Sequence, residues 1–308
     1  MSSPGPVRAL VVGESLVDIV RDDGGEVTHP GGSPLNVAVG LARLGIPTLL
    51  HTSFGADSHG SLIAQRLEDS AVALTPESVN TEPTSIAEAT IGVDGAASYR
   101  FAVEWDPADI VIDPPPSIVH TGSISALLEP GAAVVERIVR DLREVSTVSY
   151  DPNVRPQLMG SPDFARRRVE SHVANADVVK ASDEDLAWLY PDRSPDEVLA
   201  RWLASGPALV VVTRGEDGAD AIAASGRVHV DAPTTNVADT IGAGDSFTAG
   251  LLAVLADRNL LGGDRQGALR AIASSTVVEV VTFAARCAAF TVSREGANPP
   301  TRAELEGI

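Results

Sequence analysis

Short apolar runs recur along the chain, separated by longer stretches in which apolar residues return every three or four positions. The runs are RALVVG (8–13), TLLHTSF (48–54), SIVHTGS (117–123), TVSYD (147–151), DVVKAS (177–182) and ALVVVTR (208–214). Runs this short and this uniformly apolar suit strands buried on both faces. The stretches SPLNVAVGLARLG (33–45), SHGSLIAQRLEDS (58–70), GAAVVERIVRDLREV (131–145) and DFARRRVESHVANA (163–176) carry the helical period, as does FTAGLLAVLADRN (247–259). Buried strands alternating with helices imply right-handed crossovers and a mostly parallel sheet between helical layers, an α/β three-layer α-β-α fold. Two segments break the alternation. Residues 15–29 read as a hairpin turning around Asp22-Asp23-Gly24-Gly25, and residues 85–104 as another turning at Asp94-Gly95. Both alternate apolar and polar positions, as half-buried strands do. Two such insertions predict a small β lid over a cleft.

Composition narrows the partners. The chain has 308 residues, enough for one large α/β domain; the expectation is a single domain over 1–308 with the lid strands inserted at about 15–29 and 85–104. A formal charge of −19 argues against nucleic acid or an anionic membrane as main partner. The N-terminal MSSPGPVRALVVG lacks the order of a signal peptide, and no run is expected to be long and apolar enough to span a bilayer, VVEVVTF being too short. Cys287 is the only cysteine, so no intramolecular disulfide forms, in keeping with an expected cytoplasmic location. The 23 basic residues include a single lysine, Lys180. In a chain that writes arginine everywhere else, a retained lysine suggests a place where a compact ammonium fits and a guanidinium does not.

The candidate chemistry lies in DTIGAGDSF (239–247). Gly242, Ala243 and Gly244 precede an amphipathic stretch, so they occupy a helix's first turn, whose N–H groups have no internal partners and carry the positive end of the helix dipole. Side chains no larger than a methyl let an anion approach those groups. Asp245, in the same turn, is placed to take a proton from a hydroxyl attacking that anion. Read alone, the stretch is equally a Gly-rich turn whose Asp caps a helix. Other polar residues fall at the carboxyl ends of the predicted strands, where open α/β sheets bind ligands: Gly13 to Asp18, Asp151 to Arg155, Lys180 to Asp185, and Thr213 to Gly215. No G-x-x-x-x-G-K-[ST] loop occurs, and VVGESLVD is not a dinucleotide fingerprint.

With GGSPLNVAVGLARLG (31–45) and DTIGAGDSFTAGLL (239–252) in the same order and separation, the chain resembles the ribokinase-like (pfkB) carbohydrate kinases, closest in pattern to fructokinase-like members. DPNVRP, VVKASDEDL, VTRGEDGA and SREGANPP extend the resemblance over essentially the whole chain. It implies ATP-dependent phosphorylation of a sugar hydroxyl, with Asp245 as general base and the N–H groups of Gly242, Ala243 and Gly244 as anion hole. Asp18 and Asn36 would hold the sugar, with Gly31 and Gly32 allowing close approach. Arg155 would face the phosphates or an acidic substrate group, and Lys180 would lean toward the nucleotide. Magnesium dependence is implied. The family's N-x-x-E stretch is replaced here by Ser182 to Asp185, which leaves Asp183, Glu184 and Asp185 as alternative supports for Mg²⁺. The nucleotide would lie near Thr213 and Gly215, with adenine near Ala284 to Ala288. A monovalent cation, expected to be K⁺, would sit by Asp239 and the carbonyls of Ile241, Arg294 and Gly296.

Tyr99, Phe101 and Trp105 either line the sugar or pack the lid onto the body. Arg155 keeps 2-keto-3-deoxygluconate open as acceptor beside fructose. A catalytically silent sugar or nucleotide sensor is the reading from a different class; retention of Asp245 speaks against it. The resemblance also implies a homodimer formed through the lid.

Overall fold

Ala9–Val12, buried at every position, forms a strand at the middle of a nine-stranded sheet. The computed structural model of the protein describes residues 8–22, 25–91 and 97–306. In spatial order the sheet runs Gly226–Val230, Ala219–Ala223, Leu209–Thr213, Val178–Ser182, Thr147–Asp151, Ile118–Gly122, Ala9–Val12, Thr48–His51 and Ala73–Leu74. The strands from Leu209–Thr213 to Ala73–Leu74 are parallel; the two at the other edge return as an antiparallel hairpin. All six apolar runs became neighbouring parallel strands. Successive side chains alternate between two cores, one under helices Ser33–Arg43, Ala243–Asp257 and Ser274–Val292, the other under Gly131–Leu142, Pro162–Ala174 and Pro195–Ser205.

The expected hairpins are present as Leu16–Asp22 with Gly25–Gly31 and Ile86–Ile91 with Ala97–Ala102. The two form one sheet, because Leu16–Asp22 and Ile86–Ile91 pair in parallel. Residues 23–24 and the turn expected at Asp94-Gly95 lie outside the described residues, as does the side chain of Tyr99. Register places His29, Asp18, Ala87 and Phe101 in one row across the four strands, so they share a face of the lid.

The lid is rooted by side chains. Thr84 donates from its backbone N–H to Asp57 Oδ2 at 2.9 Å and from its hydroxyl to Asp57 Oδ1 at 2.7 Å. The Ser85 hydroxyl clasps Glu104, accepting from its N–H at 3.0 Å and donating to its carbonyl at 3.1 Å. Trp105 is buried, donates Nε1–H to the Ser125 carbonyl at 3.0 Å, and packs where Gly131 has no Cβ. Of its two expected roles it takes the packing one.

One expectation needs correction. Ser274–Val292 is, by length and composition, apolar enough to cross a membrane. It packs along Ala243–Asp257 instead, with Gly250 against Ala284 and Cys287, so its apolar character belongs to a core helix.

Candidate active site

The two glycine-rich stretches meet. Gly32, with φ 108°, caps helix Ser33–Arg43, and a Cβ there would stand 2.5 Å from the Glu14 carbonyl oxygen. Gly242, left-handed at φ 75°, caps helix Ala243–Asp257. The helices cross at Gly40, where a Cβ would approach that of Ala249 to 2.6 Å, so both N-termini converge at the carboxyl edge of the sheet.

Asp245 lies in that convergence, 8 % exposed. Its Oδ1 accepts from the Ser33 hydroxyl at 2.6 Å and its Oδ2 from Asn36 Nδ2 at 2.9 Å. Burial pushes its carboxyl above the ordinary aspartate value, against the pull of these two hydrogen bonds and of Lys180. The carboxylate is therefore fixed in direction and made more basic. The Asn36 Oδ1 is buried with no partner among the described residues. Ala243 N–H reaches back to the Thr240 carbonyl at 3.3 Å, whereas the N–H groups of Gly242 and Gly244 make no hydrogen bond among the described residues.

Behind this turn lies a buried ion pair. Lys180 Nζ donates to Asp151 Oδ2 at 2.9 Å, with the two side chains 6 % and 1 % exposed. A Cβ on Gly244 would stand 2.7 Å from that nitrogen. Burial pulls Lys180 down, but Asp151, Asp185 and Asp245 outweigh it and hold the ammonium above its ordinary value. Thr248, one helical turn on, donates to the Gly244 carbonyl at 3.1 Å and lies 3.5 Å from Asp151 Oδ2. The single lysine thus packs its compact ammonium against the Gly242–Gly244 turn.

Asp18 is half-buried on the lid, and Gly31 leaves room for its carboxylate, since a Cβ there would lie 2.1 Å from Oδ2. Burial raises the Asp18 carboxyl, eased by Arg155 and His29. Arg155 is exposed and anchored through Nη1 to Asn153 Oδ1 at 2.8 Å and the Val154 carbonyl at 3.0 Å. Asp185 spends its two oxygens on the backbone N–H groups of Val154, at 2.7 Å, and Ser182, at 2.8 Å. It ties two strand ends together, while Asp183 and Glu184 remain on the more accessible side of the turn.

Asp239 joins two loops, accepting from Ile241 N–H at 3.0 Å and Gly296 N–H at 2.8 Å. Arg294 is drawn aside to Glu304 at 2.6 Å and lies over the Phe290 ring. Thr213 ends the strand beside Lys180's and Gly215 opens the turn that follows it, at φ 54° with open space around it. Ala284 departs from its expected place at the nucleotide: it is wholly buried against Gly250, in core packing. Ala288 is half-buried on the same helix. Among the described residues no three His, Cys, Asp or Glu side chains cluster to hold a metal. Magnesium carried by nucleotide phosphates and held through waters fits this donor set better than a dedicated carboxylate cage.

Sequence reading placed Asp151, and Glu14 within Gly13 to Asp18, at strand ends without giving either a role, and it did not single out Ser33. Comparison with known proteins follows from this geometry. The description "pfkB family carbohydrate kinase" matches residues 8–304. The chain belongs to the pfkB family of carbohydrate kinases. It is 34 % identical to a fructokinase of Rhizobium leguminosarum bv. trifolii over 82 % of this chain and 81 % of that one. It is 31 % identical to a probable fructokinase-4 of Arabidopsis thaliana over 100 % and 99 %. Its fold is similar to a double-mutant fructokinase from Vibrio cholerae O395 in a fructose-, ADP- and potassium-bound form, with TM-score 0.81, 28 % identity and 99 % of each chain covered. This pfkB kinase is an ATP-dependent, fructokinase-like phosphotransferase acting on a sugar hydroxyl.

Proposed function

We propose that the acceptor is fructose and that Asp245 is the general base. The observation that carries this is the carboxylate held by Ser33 and Asn36 beside the unpartnered N–H groups of Gly242 and Gly244. The sugar hydroxyl oxygen forms the bond to the γ-phosphorus of ATP in line with the breaking bond to the β–γ bridging oxygen, and ADP leaves with that electron pair. Asp245 takes the hydroxyl proton late, as the oxygen becomes acidic. The backbone N–H groups and the Lys180 charge behind them stabilise the transferring group. Asn36 Oδ1 is the acceptor left over for a second sugar hydroxyl. Asp183 and Glu184 would hold the waters of a magnesium ion, which would supply charge neutralisation on the phosphates; Asp183 keeps one oxygen free of the Glu184 N–H it accepts. Potassium suits the loop that Asp239 ties together.

Asp18 lies close enough to Arg155 to feel its charge, which eases the burial of the Asp18 carboxyl. A sugar carboxylate placed there would meet Asp18, which favours a neutral ketohexose over 2-keto-3-deoxygluconate. ADP release with Mg²⁺ and K⁺, fructose set against the keto acid, tests the choice; turnover on the keto acid alone would reverse it. Asp245→Asn should abolish transfer, by roughly 1000-fold or more, with fructose and ATP binding retained by calorimetry. Comparable turnover in that variant removes the assigned role. We also infer a homodimer through the lid, whose edge strand Gly25–Gly31 carries Val27, 53 % exposed. Light scattering on Val27→Asp should then report a monomer.

A further inference from the structure

Among the described residues Glu14 is a carboxyl with no cationic partner. It follows the strand Ala9–Val12, is 3 % exposed, and accepts from Ser125 N–H at 3.1 Å. Its remaining partners are the hydroxyls of Ser123 and Ser125 and its own backbone. Burial pushes its carboxyl up to about 7. The Ser125 hydroxyl also donates to the Gly122 carbonyl at 2.7 Å, so the turn is tied at both its N–H and its side chain. Glu14 therefore works as a hydrogen-bond hub.

What it holds is strained. Ser123 sits at φ 54°, a left-handed conformation that a serine adopts at a cost, and such a turn persists when its surroundings fix it. The same turn, Ser123–Ala126, carries the carbonyl that receives Trp105 Nε1–H at 3.0 Å. Trp105 in turn accepts from Gly131 N–H at 2.9 Å through its own carbonyl. It lies three residues beyond the lid strand Ala97–Ala102, which bears Phe101 in the row with Asp18.

We propose that Glu14 is a positioning residue for the lid: by holding the Ser123–Ala126 turn it fixes Trp105, and through Trp105 the angle at which Ala97–Ala102 covers the acceptor sugar. This rests on the sugar lying beneath the lid. A loosened lid is competent for a smaller fraction of the time, which weakens apparent sugar affinity by that fraction and leaves the saturated rate intact.

The test is steady-state kinetics of Glu14→Ala, Glu14→Gln and Trp105→Phe, together with amide exchange of residues 97–105 in the free proteins. Glu14→Ala should raise the fructose KM about tenfold, with kcat and the ATP KM within about threefold, and speed exchange across 97–105. Glu14→Gln, which keeps an acceptor and a donor, should restore the wild-type KM. Trp105→Phe should shift the same KM, and the double variant Glu14→Ala/Trp105→Phe should be no worse than the worse single one. An unchanged fructose KM in Glu14→Ala, or equal losses in kcat and both KM values, overturns the inference. If Glu14→Ala does not fold, an unchanged fructose KM in Trp105→Phe overturns it. A wild-type protein inactive on fructose would count against the assigned acceptor; exchange across 97–105 then decides the lid inference by itself.

Discussion

Lys180 shows how one side chain's size sets the chemistry of its neighbours. Its ammonium touches Asp151 and stands where Gly244 has no Cβ, so a bulkier, forked cation has no room. Lys180→Arg should keep the charge and lose the fit, lowering kcat by roughly 100-fold through a displaced anion-hole turn. Wild-type kcat in that variant would show that the charge alone matters. Lys180→Met leaves Asp151 buried and unpaired, and urea unfolding should report a loss of roughly 3–5 kcal/mol. Two other buried groups shape the pH dependence of stability. Glu14 is raised from 4.5 to about 7, so its contribution is complete below pH 4.5 and lost as pH rises through 7. His120 is held by burial at about 3 against 6.5, so its contribution is present above 6.5 and lost as pH falls toward 3. Glu14→Gln should remove the alkaline decline, worth at most about 3 kcal/mol, and leave the acid one. Urea midpoints at pH 5.5 and 8 read this directly, and an unaltered alkaline slope would show that another group causes it.

At the scale of elements, the site is made by two helices brought close enough for their first turns to share a carboxylate. Gly40 against Ala249 sets that distance, and Gly250 against Ala284 and Cys287 sets the next layer. Gly40→Leu should push the helices apart, costing about 1–3 kcal/mol in urea unfolding and separating Ser33 and Asn36 from Asp245. Activity should therefore fall further than stability; full activity with intact stability would mean that the crossing tolerates the side chain. The strands and helices of this frame are legible in the sequence because a strand buried on both faces is an apolar run, and because Asn36 and Asp245 lie in motifs whose small residues have a mechanical reason. The Lys180–Asp151 pair is not legible, because it depends on which strands become neighbours. Glu14 is less so, its partner being 111 residues away. Ala284 was placed at the nucleotide because a small apolar residue on a helix reads the same in a core and in a pocket.

The whole molecule carries a charge of −19 yet must admit a polyanionic nucleotide. On the proposed reading its local answer is the N-terminus of Ala243–Asp257, the Lys180 ammonium and Arg155. Beyond about 10 Å the acidic surface dominates unless salt screens it. The ATP KM should therefore fall as choline chloride is raised from about 20 to 300 mM at fixed Mg²⁺ and K⁺. A rising KM would mean that the basic cluster governs the approach. The lid is tied to the body by Thr84 on Asp57 and by Trp105 on the turn that Glu14 holds, its two flanks are clasped by Ser85 on Glu104, and Val17 and Ile19 of its strand Leu16–Asp22 enter the body's core. Asp245, Lys180 and the anion-hole turn all belong to the body. On the proposed reading, exchanging the two hairpins would alter the part of the sugar contact that Asp18 makes and leave Asn36 and Asp245, which the helices Ser33–Arg43 and Ala243–Asp257 carry, in place.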